Sequence, residues 1–329
     1  MKLFWKSASI AGIVATFALS FAANAAAQNL TLEGQTGGFI TPTAYVVESA
    51  KGHVFSIPAI GYHFINANKV IGDVHTFSIA EGFANRAELG YTRSVHWTGD
   101  SPAFSSLWHF AGMNIFNGKV VAIKDGEFRQ WMPGVAAGFV VRTDDKFVSG
   151  ALYQELAALQ GAAVPPKSYT NGDFYVSVTK TWLHPPVPFL INLGWKETNA
   201  SIYGLGGQAT SFKSRFFGGL GIPLPGPWKT AIVPSAGFSQ EPPTAVNLNA
   251  IIYPSGASAH LPTTLDYAVR VTQKEHPHFA FDLGVGQVAG MIGTTLVPTG
   301  NPLQPYAPLP INLQARHVIG VGLSIRPGK

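Results

Sequence analysis

The chain has 329 residues, no cysteine, 46% hydrophobic and 12% charged residues, and a formal net charge of +5. The missing cysteines exclude a disulfide framework. Basic residues that sit singly along the chain exclude a nucleic-acid surface, and a charged share well under the ~25% of typical soluble domains argues against an exported soluble protein.

Two lysines, Lys2 and Lys6, precede an apolar core and a small-residue end at Ala23–Ala27. This pattern predicts a secretory signal peptide over residues 1–27, cleaved after Ala25 or Ala27; an uncleaved signal anchor is the alternative. No cysteine follows, which excludes a bacterial lipoprotein anchor. Removing Lys2 and Lys6 lowers the net charge to +3. Past Ala27 no run of 18 apolar residues occurs, so no transmembrane helix is expected. Residues 28–329 read as one domain without a linker.

Leu32 to Tyr45 is interrupted by Gly37-Gly38 and Pro42. That suits an edge, a bend or a segment tucked inside a barrel rather than a central strand. Alternating runs follow at His53–Phe64, Val70–Ala80 and Arg86–His96. Leu107–Phe116 and Lys119–Lys124 read as two weaker strands around the hairpin dipeptide Asn117-Gly118. Pro133–Arg142 is a small-residue strand ending at Thr143-Asp144-Asp145-Lys146. From Phe147 to Leu159 the spacing of Phe147, Leu152, Leu156 and Leu159 is helical and predicts an amphipathic insert in a loop.

The clearest hairpin runs from Asn171 to Asn199. Phe174, Val176, Val178, Lys180 and Trp182 fall on one face, and Tyr175, Ser177, Thr179 and Thr181 on the other. After His184-Pro185-Pro186 the alternation resumes with Phe189, Ile191, Leu193 and Trp195 against Leu190, Asn192, Gly194 and Lys196. Side chains on a strand point to opposite faces with period two. Each arm is about nine residues, the length of a tilted membrane strand, and aromatics mark the ends of the apolar faces, as in membrane-barrel girdles. Phe174, Val176, Val178, Trp182, Phe189, Ile191, Leu193 and Trp195 are therefore expected to face lipid. Lys180 breaks the pattern, through snorkelling or a bulge.

Phe212–Ile222 and Thr230–Phe238 form the next pair, Val246–Tyr253 alternates weakly, and Thr263–Thr272 and His278–Gln287 alternate clearly. A Pro-rich loop over Val297–Pro310 leads to Leu313–Arg326. About a dozen runs, with short turns at one end and longer loops at the other, predict an all-β transmembrane antiparallel up-and-down barrel of about 12 strands. A soluble β-sandwich, its apolar faces turned inward, is the competing reading.

No catalytic centre is visible. There is no G-x-S-x-G and no H-E-x-x-H, and Gly204-Leu205-Gly206-Gly207 lacks the Lys-Ser/Thr of a phosphate loop. Asp144-Asp145 reads as a solvated loop pair. His276-Pro277-His278 beside Glu275 is a turn rather than a metal site, since Pro277 marks a chain reversal. Neither cofactor nor metal is expected, and no enzyme. The inward charges are more informative: Arg86, Glu88, Lys196, Asp266, Arg270, Asp282, Arg316 and Arg326 fall on the faces assigned to the lumen. They either pair within a filled interior or line a water-filled pore and set its selectivity.

Four stretches resemble an uncharacterised family of Gram-negative exported proteins, a domain of unknown function whose members are predicted outer-membrane β-barrels. They are Glu33-Gly34 through Gly37-Gly38 to Thr41-Pro42 and Ala44; Asn85-Arg86-Ala87-Glu88-Leu89-Gly90-Tyr91; Gly172-Asp173-Phe174-Tyr175 through Thr179-Lys180; and Ala200 to Gly207, ending Tyr203-Gly204-Leu205-Gly206-Gly207. Each motif is short, and order and spacing agree over most of the chain. The resemblance implies a fold and an outer-membrane location but no activity. One departure stands out. Outer-membrane barrels commonly end on an aromatic residue, and this chain ends Ile325-Arg326-Pro327-Gly328-Lys329.

The expected function is a porin-like narrow pore or small-molecule transport protein in the outer membrane, partnered by outer-membrane lipid, the barrel-assembly machinery and small solutes, with no nucleic acid. The alternative is a non-transporting structural or surface-interaction barrel, with a barrel-embedded hydrolase ranked below both.

Overall fold

The structure, a computed structural model, describes residues 29–66, 72–98, 112–146, 154–155, 158–159, 161, 164, 168–182, 187–202, 206–242, 263–273, 278–289, 291–312 and 317–326. Its strands are β1 (Ala59–Asn66), β2 (Gly72–Phe83), β3 (Ala87–Thr98), β4 (Met113–Ile123), β5 (Gly134–Asp145), β6 (Tyr169–Trp182), β7 (Phe189–Ile202), β8 (Gly206–Gly221), β9 (Leu224–Pro225), β10 (Thr230–Gln240), β11 (Thr263–Gln273), β12 (His278–Ala289), β13 (Met291–Asn301), β14 (Gln304–Asn312) and β15 (His317–Arg326).

Twelve strands close on themselves. The order runs β1 to β8, then β10, β11, β12 and β15, and β15 returns to β1 with Ile60 opposite Ile325. Neighbouring strands are antiparallel, and closure removes the sheet edges that lipid would not tolerate. Two-residue β9 caps β10, and β13–β14 form a separate ribbon. Consecutive barrel strands are separated by 3 to 10 residues after Phe83, Ile123, Trp182, Gly221 and Gln273, and by 3 to 27 after Asn66, Thr98, Asp145, Ile202, Gln240 and Ala289. Outer-membrane barrels have this asymmetry, with short turns on the periplasmic side.

The alternation has its physical counterpart in exposure. On β11, Tyr267 and Val269 are exposed while Asp266, Ala268 and Arg270 are buried. The outward residues form an apolar band that water would not wet without cost, which suits lipid.

Inside lies residues 29–49, a plug. Thr31 N donates to Gln35 O, Leu32 N to Phe39 O and Gly38 N to Thr41 O, so the segment folds on itself in tight turns. Gly34 takes φ 86° at the first turn, and a Cβ there would meet Thr92 Oγ1 on the wall at 2.2 Å; only glycine fits both constraints. Of the readings open for Gly37-Gly38 and Pro42, the structure has the segment inside the barrel. Most interior apolar clusters include a plug residue: Leu30 and Val47 with Ala59 and Ala80, Phe39 and Ile40 with Ala268, Ala44 and Val46 with Val121 and Ala136. The hydrophobic core of this barrel is thus largely the seam between plug and wall.

Three sequence expectations are corrected. Asn117-Gly118 is not a turn but the middle of one continuous β4, with no break in the register to β3. Asn117 points inward, 2% exposed, and Gly118 makes room for the Phe139 ring, which a Cβ would meet at 2.6 Å. The Pro-rich stretch 297–310 is not loop but mostly β13–β14, with Leu296 opposite Pro308 and Pro298 opposite Tyr306. A two-stranded ribbon has a free edge along each strand, where a missing N–H costs nothing. Lys180 neither snorkels nor marks a bulge: the β6–β7 register is unbroken from Asp173 to Trp182.

Some expectations fall outside the described residues: the signal peptide, the Val246–Tyr253 run, Tyr203-Gly204-Leu205 and the Glu275-His276-Pro277 turn. Of the expected helical insert, residues 154–155 and 158–159 are helical, and Leu159 is exposed. Phe147, Leu152 and Leu156 lie outside the described residues.

Candidate functional site

The plug is bonded to seven strands of the wall. Arg142 on β5 donates from Nε and Nη2 to the two carboxylate oxygens of Glu33, each at 2.6 Å. Its Nη2 also reaches Asp173 on β6 at 2.7 Å, and its Nη1 reaches Asn171. All three charged side chains are buried. Glu88 on β3 accepts from Thr36 N at 2.8 Å, from the Thr36 hydroxyl and from Val47 N at 2.8 Å. On β4, Lys119 donates to Thr36 O and Thr43 O and Asn117 to Glu33 O. Ala44 N donates to Thr179 on β6, and Asn192 on β7 to Pro42 O.

Across the lumen, Arg270 on β11 stands opposite Asp282 on β12 and donates to both its oxygens, at 2.8 and 3.1 Å. Arg270 Nη1 also reaches Gly37 O of the plug, and Asn29 of the plug donates to Asp282. The inner face here carries glycines, and the room they leave is occupied. Phe39 sits where a Cβ on Gly284 or Gly320 would be 3.2 or 2.5 Å away, and its ring meets His63 edge-on at 5.9 Å.

The other expected lumen residues are placed as follows. Lys196 is buried and donates to Ser239 at 2.9 Å, with Glu241 at 3.4 Å. Asp266 is buried beside the plug. Arg86 differs from expectation: it sits in the 84–86 turn, partly exposed, paired with Glu127 of the next turn on the same rim. The turn begins before the strand does, so the alternation does not extend to it. The Arg86 guanidinium beside Glu127 holds that carboxyl below its ordinary value. Arg326 is partly exposed at the same rim and donates to Glu48 O at 3.4 Å, and Arg316 lies outside the described residues. Asp145 also differs: it is 1% exposed rather than solvated and accepts from Asn171, because the β5–β6 register shifts between Arg142 and Asp145.

On the outer surface, Phe174, Val176, Val178, Trp182, Leu193 and Trp195 are exposed, while Phe189 and Ile191 are half-buried, Phe189 stacking on Trp182 at 4.8 Å. Lys180 folds under the 124–133 connection and donates to Asp125 at 2.6 Å and Gln130 O at 2.5 Å. Asp125 also accepts from the Tyr45 hydroxyl at the end of the plug, and burial pushes that phenol's pKa up.

Sequence reasoning missed Glu33, Lys119, Arg142, Asp173 and Glu241 as interior charges. The signal was available for four of them: Lys119, Arg142 and Asp173 sit at inward positions of alternating runs and Glu33 beside the turn glycine of an interrupted one, while Glu241 lies past the end of β10.

Closed strand order, apolar exterior and polar interior define a transmembrane β-barrel that carries its own plug. The chain belongs to the family described as protein of unknown function (DUF3034), which matches residues 26–216, a span that takes in the plug and the first seven strands. No curated protein matches the chain. Among solved structures it is similar to the KdgM porin, at 10% identity over 81% of this chain and 98% of that one, with a TM-score of 0.40. It is also similar to the NanC porin, at 6% identity over 83% and 100%, TM-score 0.43, and to the translocator domain of the autotransporter NalP from Neisseria meningitidis, at 13% over 84% and 90%, TM-score 0.32. The barrel class stated here rests on the chain's own strand order.

Proposed function

We propose that this is an outer-membrane barrel of the small-solute transport class, held closed by its own N-terminal segment. It is exported by residues 1–27 and inserted into lipid by the barrel-assembly machinery. The observation that carries the reading is the plug: residues 29–47 are bonded to seven of the twelve wall strands through charged and polar groups. A barrel with a purely structural role has no need of a charged interior, since apolar packing of the same volume is commonly as stable. The charged contacts of the seam, by contrast, become a hydrated path when plug and wall part, because Glu88, Lys196, Arg270 and Asp282 tolerate water.

Single-channel recording of the refolded full chain in a planar bilayer tests this. The expected record is a mostly closed channel with brief openings. A chain that folds, shows heat-modifiable migration and never conducts at any tolerated voltage is instead a structural or surface-interaction barrel. That second reading is favoured by the sealed Arg270–Asp282 pair. Recovery of the mature protein in the soluble periplasmic fraction would remove both.

A further inference from the structure

Between plug and wall lies a cavity of about 50 Å³. Gly219 on β8 stands opposite Gly237 on β10, and Gly237 opposite Asp266 on β11, so the three form a row across the wall. Two of them have no side chain, which hollows the wall, and the Asp266 carboxylate folds over the hollow. A Cβ on Gly237 would lie 2.3 Å from Asp266 Oδ1, and one on Gly219 would lie 3.8 Å from Thr41 Oγ1 of the plug. Asp266 is 3% exposed, lines the cavity, and its Oδ1 has no hydrogen-bond partner. Arg270 also lines the cavity, but its guanidinium hydrogen bonds go to Asp282 and Gly37 O.

A buried carboxylate oxygen without a hydrogen-bond donor is costly, and the cavity beside it, which Thr41, Asn192 and Ser235 also line among apolar neighbours, supplies room for a cation. We propose that Asp266, with the Thr41 hydroxyl, binds a small monovalent cation of the alkali class in this cavity. The charge is set by the donors: one free carboxylate with neutral oxygens balances a single charge, whereas calcium takes six to eight oxygens, commonly from several carboxylates. The volume admits such an ion with one or two waters. Bound there, the cation ties plug to wall. The site stands whether or not the barrel conducts, and its test reads no current.

The refolded full chain is heated in sodium, potassium or N-methyl-D-glucamine chloride at equal ionic strength. Sodium or potassium is expected to raise the unfolding midpoint by roughly 2–4 °C over the organic cation. The rise is lost in Asp266→Asn and in Gly219→Ala, which keeps the carboxylate and fills the hollow. Wild type broadens the sodium-23 resonance, and both variants broaden it less. Equal midpoints in all three salts without broadening overturn the site, as a carboxyl that simply holds a proton would produce. A rise that persists in Asp266→Asn overturns it too. Should that variant fail to fold, Gly219→Ala decides between the two results.

Discussion

Arg142 of the wall grips Glu33 of the plug through two parallel hydrogen bonds of 2.6 Å, and neither side chain is exposed. The partners are 109 residues apart in sequence, so the contact forms only after β5 is in place and the plug has entered. Arg142 also holds Asp173, which makes one guanidinium answer for two carboxylates.

That arithmetic separates two substitutions. Arg142→Met takes the hydrogen-bonded cation away from buried Glu33 and Asp173, with Lys196 still acting on Asp173, and removal of one partner of a buried pair costs about 3–5 kcal/mol. Glu33→Gln keeps one of the two hydrogen bonds, since an amide offers a single acceptor oxygen, and leaves Asp173 to balance Arg142, so its cost is expected to be smaller. Urea unfolding of the refolded proteins measures both. Equal losses would mean that Asp173 does not share the charge.

The wall's two faces respond to an added charge in different ways. Val178 is 38% exposed on the outer surface and Thr179 is fully buried, its hydroxyl shared between Asn192 and the plug nitrogen of Ala44. Val178→Arg places a charge in lipid and is expected to cost about 2–4 kcal/mol with no effect on conductance. Thr179→Arg forces a long side chain into an occupied lumen. It too destabilises, and it displaces the plug, so openings become more frequent. Stability alone does not tell the two apart; stability and single-channel recording together do. Unchanged conductance in Thr179→Arg would place the current path away from the plug.

Arg270 and Asp282 are a sealed pair, with side-chain exposures of 7% and 1%, and not a screened one. Arg270→Ala is therefore expected to cost about 3–5 kcal/mol rather than the 0–1 kcal/mol of a solvated pair. The double change Arg270→Ala with Asp282→Ala recovers part of that loss, because Asp282 is no longer left without its cation. A small loss in the single variant, accompanied by a shift of reversal potential toward cations, would show a wet lumen at this level.

Much of this fold is legible in the chain because period two writes itself into the sequence: Phe174, Val176 and Val178 against Tyr175, Ser177 and Thr179 needs no partner strand to be read. The plug is legible only in part. Gly37, Gly38 and Pro42 mark a segment that cannot be a central strand, but nothing local says that Glu33 will meet Arg142 or that Pro42 O will accept from Asn192. Those contacts follow from closure of the barrel, a long-range event. Asn117-Gly118 misleads for a related reason. The residues that favour a tight turn, an adaptable amide and a missing Cβ, also suit a strand position where an amide must reach Glu33 O and a ring must lie close. Lys180 looked anomalous because its partner Asp125 comes from a different hairpin.

The proposed gating by the plug is testable because the chain contains no cysteine. Ala44 Cβ of the plug lies 3.5 Å from the place a Cβ on Gly134 would take, at the short end of the ~3.5–4.5 Å range in which a disulfide closes without moving the backbone. Gly134 begins β5, and Ala44 is held against the wall by its bond to Thr179 at 2.8 Å. In Ala44→Cys with Gly134→Cys the two new thiols have no others to pair with, so oxidation gives one cross-link between plug and wall. The oxidised protein is expected to stay closed, and reduction in the same bilayer to restore the brief openings of wild type. Either single cysteine variant should ignore the reductant. Equal conductance in the oxidised and reduced states would show that solute passes without the plug moving at Ala44. Silence in both states, from protein that is folded and inserted, would leave a barrel whose lumen is permanently filled and whose work lies in its long loops.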